Sequence, residues 1–376
     1  MYYAEEFVKQ LYQGRQIVIY GAKIVAVEVA SCLMGEPYHL KISNFMVTSL
    51  EGNVKKLLGI PVIDIKEGKK HYKDAVVLVA MMEKYLHEVI PLLQKEGFLH
   101  VIPMTFESDL WSQLRGNYFR ELCLKQGRQY LTLEEEIEKA VCDTNEDSIH
   151  DIHMYMVRSH ADRQLQADLD AYNWEIPIQA GAALTSRQIL QVRDNQGEQI
   201  SYKNREYCEL TALYWIWKND VSKYAGLCHY RRHFNFDKGL LQKLIVSDID
   251  AVLTIPILNF PDVRTVYAND HIEQDWDIML QALEKLHPDY RKTAEIVQRG
   301  VFYYGYNMFL ARKEILDAYC EWLFPILEAC EEKCGKKENA YQNRYAGFLA
   351  ERLMTVYFLH NKEQYKIVHA QKTFLE

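Results

Sequence analysis

The sequence lacks an apolar run that approaches the roughly 18 residues a membrane span requires. Its start, MYYAEEFVKQ, also lacks the basic and apolar regions of a secretory signal peptide. Positive charge is in deficit as well, since 44 lysines and arginines against 52 acidic residues give a formal net charge of −8. A negative chain repels a phosphate backbone, so nucleic acid is not expected as a partner. These absences predict a cytoplasmic protein without a transmembrane segment.

Regularly spaced cysteine pairs are missing too. The eight cysteines are scattered, and the close pair Cys330 and Cys334 has neither CxxC spacing nor a nearby His-x-x-x-His. Reduced, mostly buried thiols are therefore expected. Aromatic residues, in contrast, make up 12% of the chain, with 26 tyrosines and 6 tryptophans. This excess suits sugar or base stacking as well as an ordinary core.

Apolar runs alternate with amphipathic stretches over the first 110 residues. The runs that indicate strands lie at 16–22, 42–47, 75–80 and 100–104, and the helical patterns between them lie at 25–33 and 84–94. This order is the βαβ rhythm of a parallel sheet. We therefore predict an α/β protein with a Rossmann-like accessory domain at 1–110, a helical connector at 111–149 and a larger mixed α/β domain at 150–376.

The turn after the first strand carries a degenerate glycine motif. A dinucleotide fingerprint, Gly-x-Gly-x-x-Gly, needs glycines where Lys23 and Ala26 stand. The second strand ends near Thr48 without the carboxylate that binds a ribose, so NAD and NADP are not expected to bind. With GIPVID at 59–64 and EGF at 96–98, the segment resembles the nucleotide-binding-type N-terminal domains of many bacterial sugar-modifying enzymes. A docking role and a small-ligand site both stay open.

The chemistry of the second domain is concentrated at 204–234. Asn204 is a candidate N-cap for an aromatic helix, NREYCELTALYWIWKN, that ends near Asn219. The apolar run YAGLCHY then indicates a buried strand. At its carboxyl end, where α/β sheets bind ligands, it carries His229, Tyr230, Arg231, Arg232 and His233. Two guanidinium forks match the oxygens of a diphosphate, and a surface strand end with ordinary ion pairs is the alternative.

This block and its flanks form a set of long motifs in a fixed order. They are RSHAD at 158–162, PIQAGAAL at 177–184, NREYCELTALYWIWKN, GLCHYRR, SDIDAVLTIP at 247–256, YGYNMFLARKEILDAYCEWLFPIL at 304–327 and YAGFLAERL at 345–353. Over roughly residues 150 to 360, the chain resembles a bacterial family of glycosyltransferases of capsular polysaccharide, exopolysaccharide and O-antigen synthesis, first described as a domain of unknown function.

The resemblance implies a GT-A-like fold that transfers a sugar from a nucleotide-sugar donor, a UDP-sugar, to a growing polysaccharide or oligosaccharide. The acceptor is expected to be lipid-linked, which implies peripheral contact with the inner face of the membrane. The residues assigned to the donor are His160, Glu209, His229, Tyr230, Arg231, Arg232, Asn307 and Arg352.

Three residues are assigned to catalysis: His271 and Asp275, at i and i+4 on one helix face, and Glu351. The alternative for this segment is an ordinary helix N-terminus that favours acidic residues, and it applies to Glu273 and Asp277 more than to His271. Glu351 and Arg352 interrupt an apolar helix, so they either pair with each other or point into the cleft.

A departing nucleoside diphosphate must be stabilised by a divalent metal or by several cationic side chains. The nearest Asp-x-Asp pair is Asp248 and Asp250, but there the strand follows the acids. A turn before a strand is therefore the better interpretation, and dependence on Mg²⁺ or Mn²⁺ stays open. A non-catalytic sugar- or nucleotide-binding protein is the rival interpretation, favoured by the aromatic excess and the lack of a convincing Asp-x-Asp.

Overall fold

The computed structural model describes residues 14–139, 150–165 and 172–375. The chain splits into two compact units, Met1–Tyr130 and Leu131–Glu376. The segment 111–149, assigned above to a connector, is divided between them, and its last ten residues lie outside the described ranges. Trp111 is buried in the first unit and Leu133 in the second. Apolar side chains of the described part of the segment thus contribute to both cores.

The first unit is an open α/β sheet with helices. In chain order its elements are β1 (Ile17–Tyr20), α1 (Ile24–Met34), β2 (Ile42–Val47), β3 (Lys56–Leu57), β4 (Ile60–Asp64), α2 (Ile65–His71), β5 (Val76–Val79), α3 (Leu86–Lys95), β6 (His100–Pro103) and α4 (Asp109–Lys125). The strand order is β3-β4-β2-β1-β5-β6, parallel except for β3. Every residue of β1 and β5 is buried, as in parallel strands covered on both faces.

The strands and helices predicted for this unit are confirmed to within a few residues, and so is the α/β class. The glycine of the degenerate motif has a packing reason. Gly21 has φ +130°, and a Cβ atom there would lie 2.5 Å from the carbonyl oxygen of Ala80. Gly21 therefore permits the close approach of the chain after β1 to the chain after β5.

The second unit is a mixed α/β domain. Its elements are α5 (Leu133–Ile137), β7 (Ile152–Arg158), β8 (Ile176–Gln179), β9 (Val192–Arg193), α6 (Asn204–Tyr207), α7 (Leu210–Asn219), β10 (Tyr224–His229), β11 (Arg232–Phe234), α8 (Lys238–Val246), β12 (Ala251–Thr254), β13 (Ile257–Leu258), α9 (Val263–Asp270), α10 (Glu273–Leu286), α11 (Arg291–Arg299), β14 (Phe302–Tyr303), β15 (Phe309–Arg312), α12 (Lys313–Cys334), α13 (Tyr345–His360), β16 (Ile367–Ala370) and β17 (Lys372–Phe374).

The main sheet has the order β16-β12-β15-β10-β7-β8-β9, and β11 pairs with β10 and β17. Strands β10, β7, β8 and β9 are parallel neighbours, whereas β15 runs antiparallel to both β10 and β12. The carboxyl ends of β7, β8 and β10 therefore meet at one edge of the sheet. In the described part of the chain, each helix is too short or too polar to cross a membrane.

The aromatic helix expected from Asn204 onward is interrupted. Its first turn, α6, ends at Tyr207, and Cys208 adopts a left-handed φ of +52° before α7 begins. The Asn204 amide is not the N-cap; its Nδ2 donates to the Cys208 carbonyl and to Thr211 Oγ1. These tertiary bonds stabilise a break that the apolar periodicity does not reveal. The predicted end at Asn219 is confirmed.

Candidate active site

A cleft of about 800 Å³ opens at the carboxyl ends of β7, β8 and β10. Its wall includes Val157 and Arg158 from the end of β7, Ala180 after β8, and His229 at the end of β10. This is the edge at which open α/β sheets bind ligands. Additional wall residues come from α6, from the start of α7 and from the segment between α12 and α13.

Positive charge dominates the wall, although the whole chain has a net charge of −8. The charged wall residues are six cationic side chains and three acidic ones: Arg158, Arg205, Arg232, Lys336, Lys337 and Arg344, with Asp162, Glu209 and Glu338. Five of the cations, Arg158, Arg205, Lys336, Lys337 and Arg344, were not predicted as site residues from the sequence. The excess of positive charge suits an anionic ligand such as a diphosphate.

The HYRRH block forms a hairpin rather than a strand end. Strand β10 ends at His229 and pairs antiparallel with β11 from Arg232 onward, so Tyr230 and Arg231 make the turn. His229, Tyr230 and Arg232 line the cleft. His229 Nε2 donates to the Tyr306 carbonyl oxygen at 2.6 Å, and the Arg232 guanidinium lies 4.4 Å from the centre of the Tyr306 ring.

The other two residues of the hairpin point elsewhere. Arg231 does not line the cleft: its Nε donates to the Leu375 carbonyl at 3.1 Å, and its guanidinium lies over the Phe374 ring. The two arginines, both assigned above to the donor, thus lie on different sides of the hairpin, because the turn directs neighbouring side chains apart, and only Arg232 lines the cleft. His233 is fully buried, with Nδ1 2.8 Å from Glu175 Oε2.

A strained turn at Tyr306 and Asn307 connects the cleft to the helices. Both residues have positive φ, +70° and +50°, which costs about 1–2 kcal/mol for each non-glycine residue. Asn307 Nδ2 donates to Glu209 Oε1 at 2.7 Å, and the Tyr306 amide donates to Glu351 Oε1 at 2.5 Å. Strain of this kind persists where surrounding contacts determine the conformation, and it clusters at functional sites.

Glu351 and Arg352 form a salt bridge. Arg352 Nη1 lies 2.6 Å from Glu351 Oε2, and its guanidinium lies 4.1 Å from the centre of the Tyr303 ring. Burial raises the pKa of the Glu351 carboxyl, while Arg352 opposes that shift. Of the two expected arrangements, the structure shows the ion pair. Glu351 contacts the turn beside the cleft, whereas Glu209 lines the cleft itself.

His271 and Asp275 do not share a helix. Helix α9 ends at Asp270 and α10 begins at Glu273, and His271 between them has an extended backbone. The His271 ring stacks on Phe348 at 4.0 Å, and burial lowers its pKa to about 3. A histidine with so low a pKa is a weak base at neutral pH. Asp275 is buried and accepts a 2.7 Å bond from Lys337, which lines the cleft.

The Asp-x-Asp pair does not fit a metal site for the donor. Asp248 and Asp250 precede β12, and neither lines the cleft. Lys366 Nζ bonds to Asp248 at 2.7 Å, and Arg312 Nε bonds to Asp250 at 3.1 Å. Cationic side chains of the protein therefore neutralise both carboxylates.

His160 lies on the loop after β7, which contributes to the cleft. Arg158, Ser159, Ala161 and Asp162 of this loop line the cleft, whereas His160 does not. The Ser159 amide donates to Asp162 Oδ2 at 2.7 Å, which fixes the turn. His160 is half-buried.

Comparison with known proteins places the chain in a family. The family described as domain of unknown function DUF4422 matches residues 154–362, more than half of the chain, and the chain belongs to it. The chain is also similar to a solved structure, the bifunctional glycosyltransferase WbbM in its apo form, with 28% identity and a TM-score of 0.51. That match covers 60% of this chain and 45% of WbbM, so the chain spans less than half of that protein. No curated protein matches the chain.

Proposed function

We propose that this protein is a glycosyltransferase whose nucleotide-sugar donor binds in the cleft of the second unit. The observation that carries the proposal is the set of six cationic side chains that line the cleft opening at the carboxyl ends of β7, β8 and β10. Similarity to a glycosyltransferase structure supports it. A leaving nucleoside diphosphate gains negative charge, and fixed cations stabilise that charge.

In this proposal three arginines that line the cleft, Arg232, Arg205 and Arg344, hold the diphosphate. His229 is fixed by its bond to Tyr306 and orients the donor. Glu209 accepts the proton that the acceptor hydroxyl gives up as its oxygen bonds to the anomeric carbon and the diphosphate departs. Asn307 holds Glu209 in position through the 2.7 Å bond.

The acceptor in this proposal is a growing polysaccharide or oligosaccharide carried on a lipid. The donor is a UDP-sugar of a capsular, exopolysaccharide or O-antigen pathway, and the fold of the second unit is of GT-A type. Because the acceptor is carried on a lipid, the protein transfers the sugar at the inner face of the membrane in this proposal.

Incubation of the full chain with a panel of nucleotide sugars tests the proposal. Wild-type protein should release nucleoside diphosphate from one donor, both with Mg²⁺ or Mn²⁺ and in the presence of a chelator. Glu209→Gln should still bind the same donor. It should release nucleoside diphosphate at least about 100-fold more slowly than wild type, which is the scale of losing a general base. Binding without release by the wild type, under every metal condition, would instead identify a non-catalytic nucleotide- or sugar-binding protein.

A further inference from the structure

Next to the cleft, three side chains with metal-binding chemistry are buried together. Glu175 directly precedes β8, Cys228 lies in β10 and His233 lies in β11, and their ligand atoms are all within 4.8 Å of one another. Cys228 and His233 are fully buried, and Glu175 is 5% exposed. None of the three lines the cleft, so the proposed glycosyl transfer does not use them.

The orientation of His233 is that of a metal-bound histidine. Its Nε2 lies 3.2 Å from the Tyr230 carbonyl oxygen, which can only accept, so Nε2 carries a proton. In the neutral ring the lone pair is then on Nδ1, which faces Glu175 Oε2 at 2.8 Å. A lone pair and a carboxylate oxygen that face each other need a cation between them, either a proton or a metal ion. Metal-bound histidines commonly donate their other N–H to a backbone carbonyl.

Two observations favour the metal ion over the proton. Glu175 Oε1 is buried without a nitrogen or oxygen donor, and the neighbouring Cys228 thiol is only a weak donor, so this acceptor is poorly satisfied at a cost. Cys228, which forms no disulfide, adds a sulfur atom within 4.8 Å of the ligand atoms of Glu175 and His233. Zinc bonds of about 2.0–2.3 Å space tetrahedral ligands about 3.3–3.8 Å apart, so the Nδ1–Oε2 separation must widen by about half an ångström. Small side-chain rotations supply that change.

We propose that Glu175, Cys228 and His233 bind a Zn²⁺ ion, with both oxygens of the Glu175 carboxylate on the metal in a four-coordinate site distorted from a tetrahedron. Thiolate, imidazole and carboxylate together suit zinc. Binding displaces the thiol proton of Cys228 and the proton shared by Glu175 and His233, and both protons leave to solvent. The ion is structural: it joins β10, β11 and the chain before β8, and so fixes the hairpin that carries Tyr230 and Arg232 to the cleft.

Metal analysis of the full chain, prepared without a polyhistidine tag and dialysed against Zn²⁺, tests the proposal. Mass spectrometry should find one zinc per chain in the wild type. Cys228→Ser should weaken zinc binding at least about tenfold, the scale of perturbing a metal shell. The matched control is Cys320→Ser, since Cys320 is another fully buried free cysteine, in α12, and this variant should retain its zinc.

A second measurement keeps the test decisive if Cys228→Ser does not fold. Co²⁺ added to metal-free wild-type protein should give the thiolate-to-cobalt absorption band, and Zn²⁺ should abolish it. Absence of the band, together with no zinc and no rise in melting temperature on adding Zn²⁺, would overturn the proposal. So would equal zinc binding by the wild type and a folded Cys228→Ser. The triad would then be a buried hydrogen-bonded network.

Discussion

Replacing Arg232 by alanine, with Arg231→Ala as its control, separates a ligand-binding arginine from its neighbour. Both guanidinium groups lie over an aromatic ring, 4.4 Å from Tyr306 for Arg232 and 4.4 Å from Phe374 for Arg231. Both side chains are half-buried, but only Arg232 lines the cleft. Each substitution therefore removes one positive charge and a contact with an aromatic ring, and only Arg232→Ala changes the wall of the cleft.

The expected magnitudes follow from that difference. Loss of one preorganised donor to the departing diphosphate costs about 2.7–4 kcal/mol of transition-state stabilisation, so Arg232→Ala should lower kcat/KM about 100- to 1000-fold. Arg232→Lys should recover only part, because an ammonium keeps the charge without the planar fork. Arg231→Ala loses the bond to the Leu375 carbonyl, which stabilises folding by about 1 kcal/mol, and should keep kcat/KM within about threefold.

The assay is release of nucleoside diphosphate from the active donor, with melting temperatures measured on the same preparations. Equal losses of kcat/KM in Arg232→Ala and Arg231→Ala would refute the assignment of the diphosphate to this cleft. Near-normal turnover by Arg232→Ala at an unchanged melting temperature would refute it as well.

Two further predictions concern stability. A Cβ at Gly226 would lie 2.1 Å from the Phe309 carbonyl oxygen, so Gly226→Ala should cost roughly 3 kcal/mol in urea unfolding. Gly239→Ala, in helix α8 with its nearest contact at 3.4 Å, should leave the stability unchanged or raise it by up to about 1 kcal/mol, because alanine favours a helix more than glycine does. Burial lowers the pKa of His369 to about 4, and its Nε2 lies 2.9 Å from Tyr304 Oη. Neutral His369 thus stabilises the fold above pH ~6.5, and this contribution to stability is lost as the pH falls towards 4. Between pH 7 and 5, the free energy of unfolding of the wild type should therefore fall by about 2 kcal/mol more than that of His369→Gln.

Local patterns predicted much of the fold. The strand at β1 is a β-branched apolar run buried on both faces. β7 and β10 are also largely apolar and almost wholly buried, so composition alone located all three. The break at Cys208 could not be found this way, since bonds from the Asn204 side chain stabilise it. Likewise, the spacing of His271 and Asp275 suits one helix, and only the structure shows the chain extended between two.

The candidate site was predicted in part for a related reason. His229 and Arg232 follow a recognisable strand, which placed them at a ligand-binding edge. Arg205 and Arg344 stand 139 positions apart in the sequence, and their convergence on one cleft is a property of the tertiary fold. Arg231 and Arg232 face different sides because they belong to a two-residue turn and the strand after it. The sequence alone does not predict which way the side chains of neighbouring turn residues point.

The strained turn at Tyr306 and Asn307 also bears on how the second unit folds. Its bond to Glu209 closes a loop of 98 residues, its bond to His229 spans 77 and its bond to Glu351 spans 45. The central strands are equally non-local, since β12 pairs with β16 across more than 100 positions. Contacts of such sequence separation form late, after loop entropy has been overcome. A partly synthesised chain therefore holds no partial site, and nucleotide binding during refolding would report completion of the whole unit.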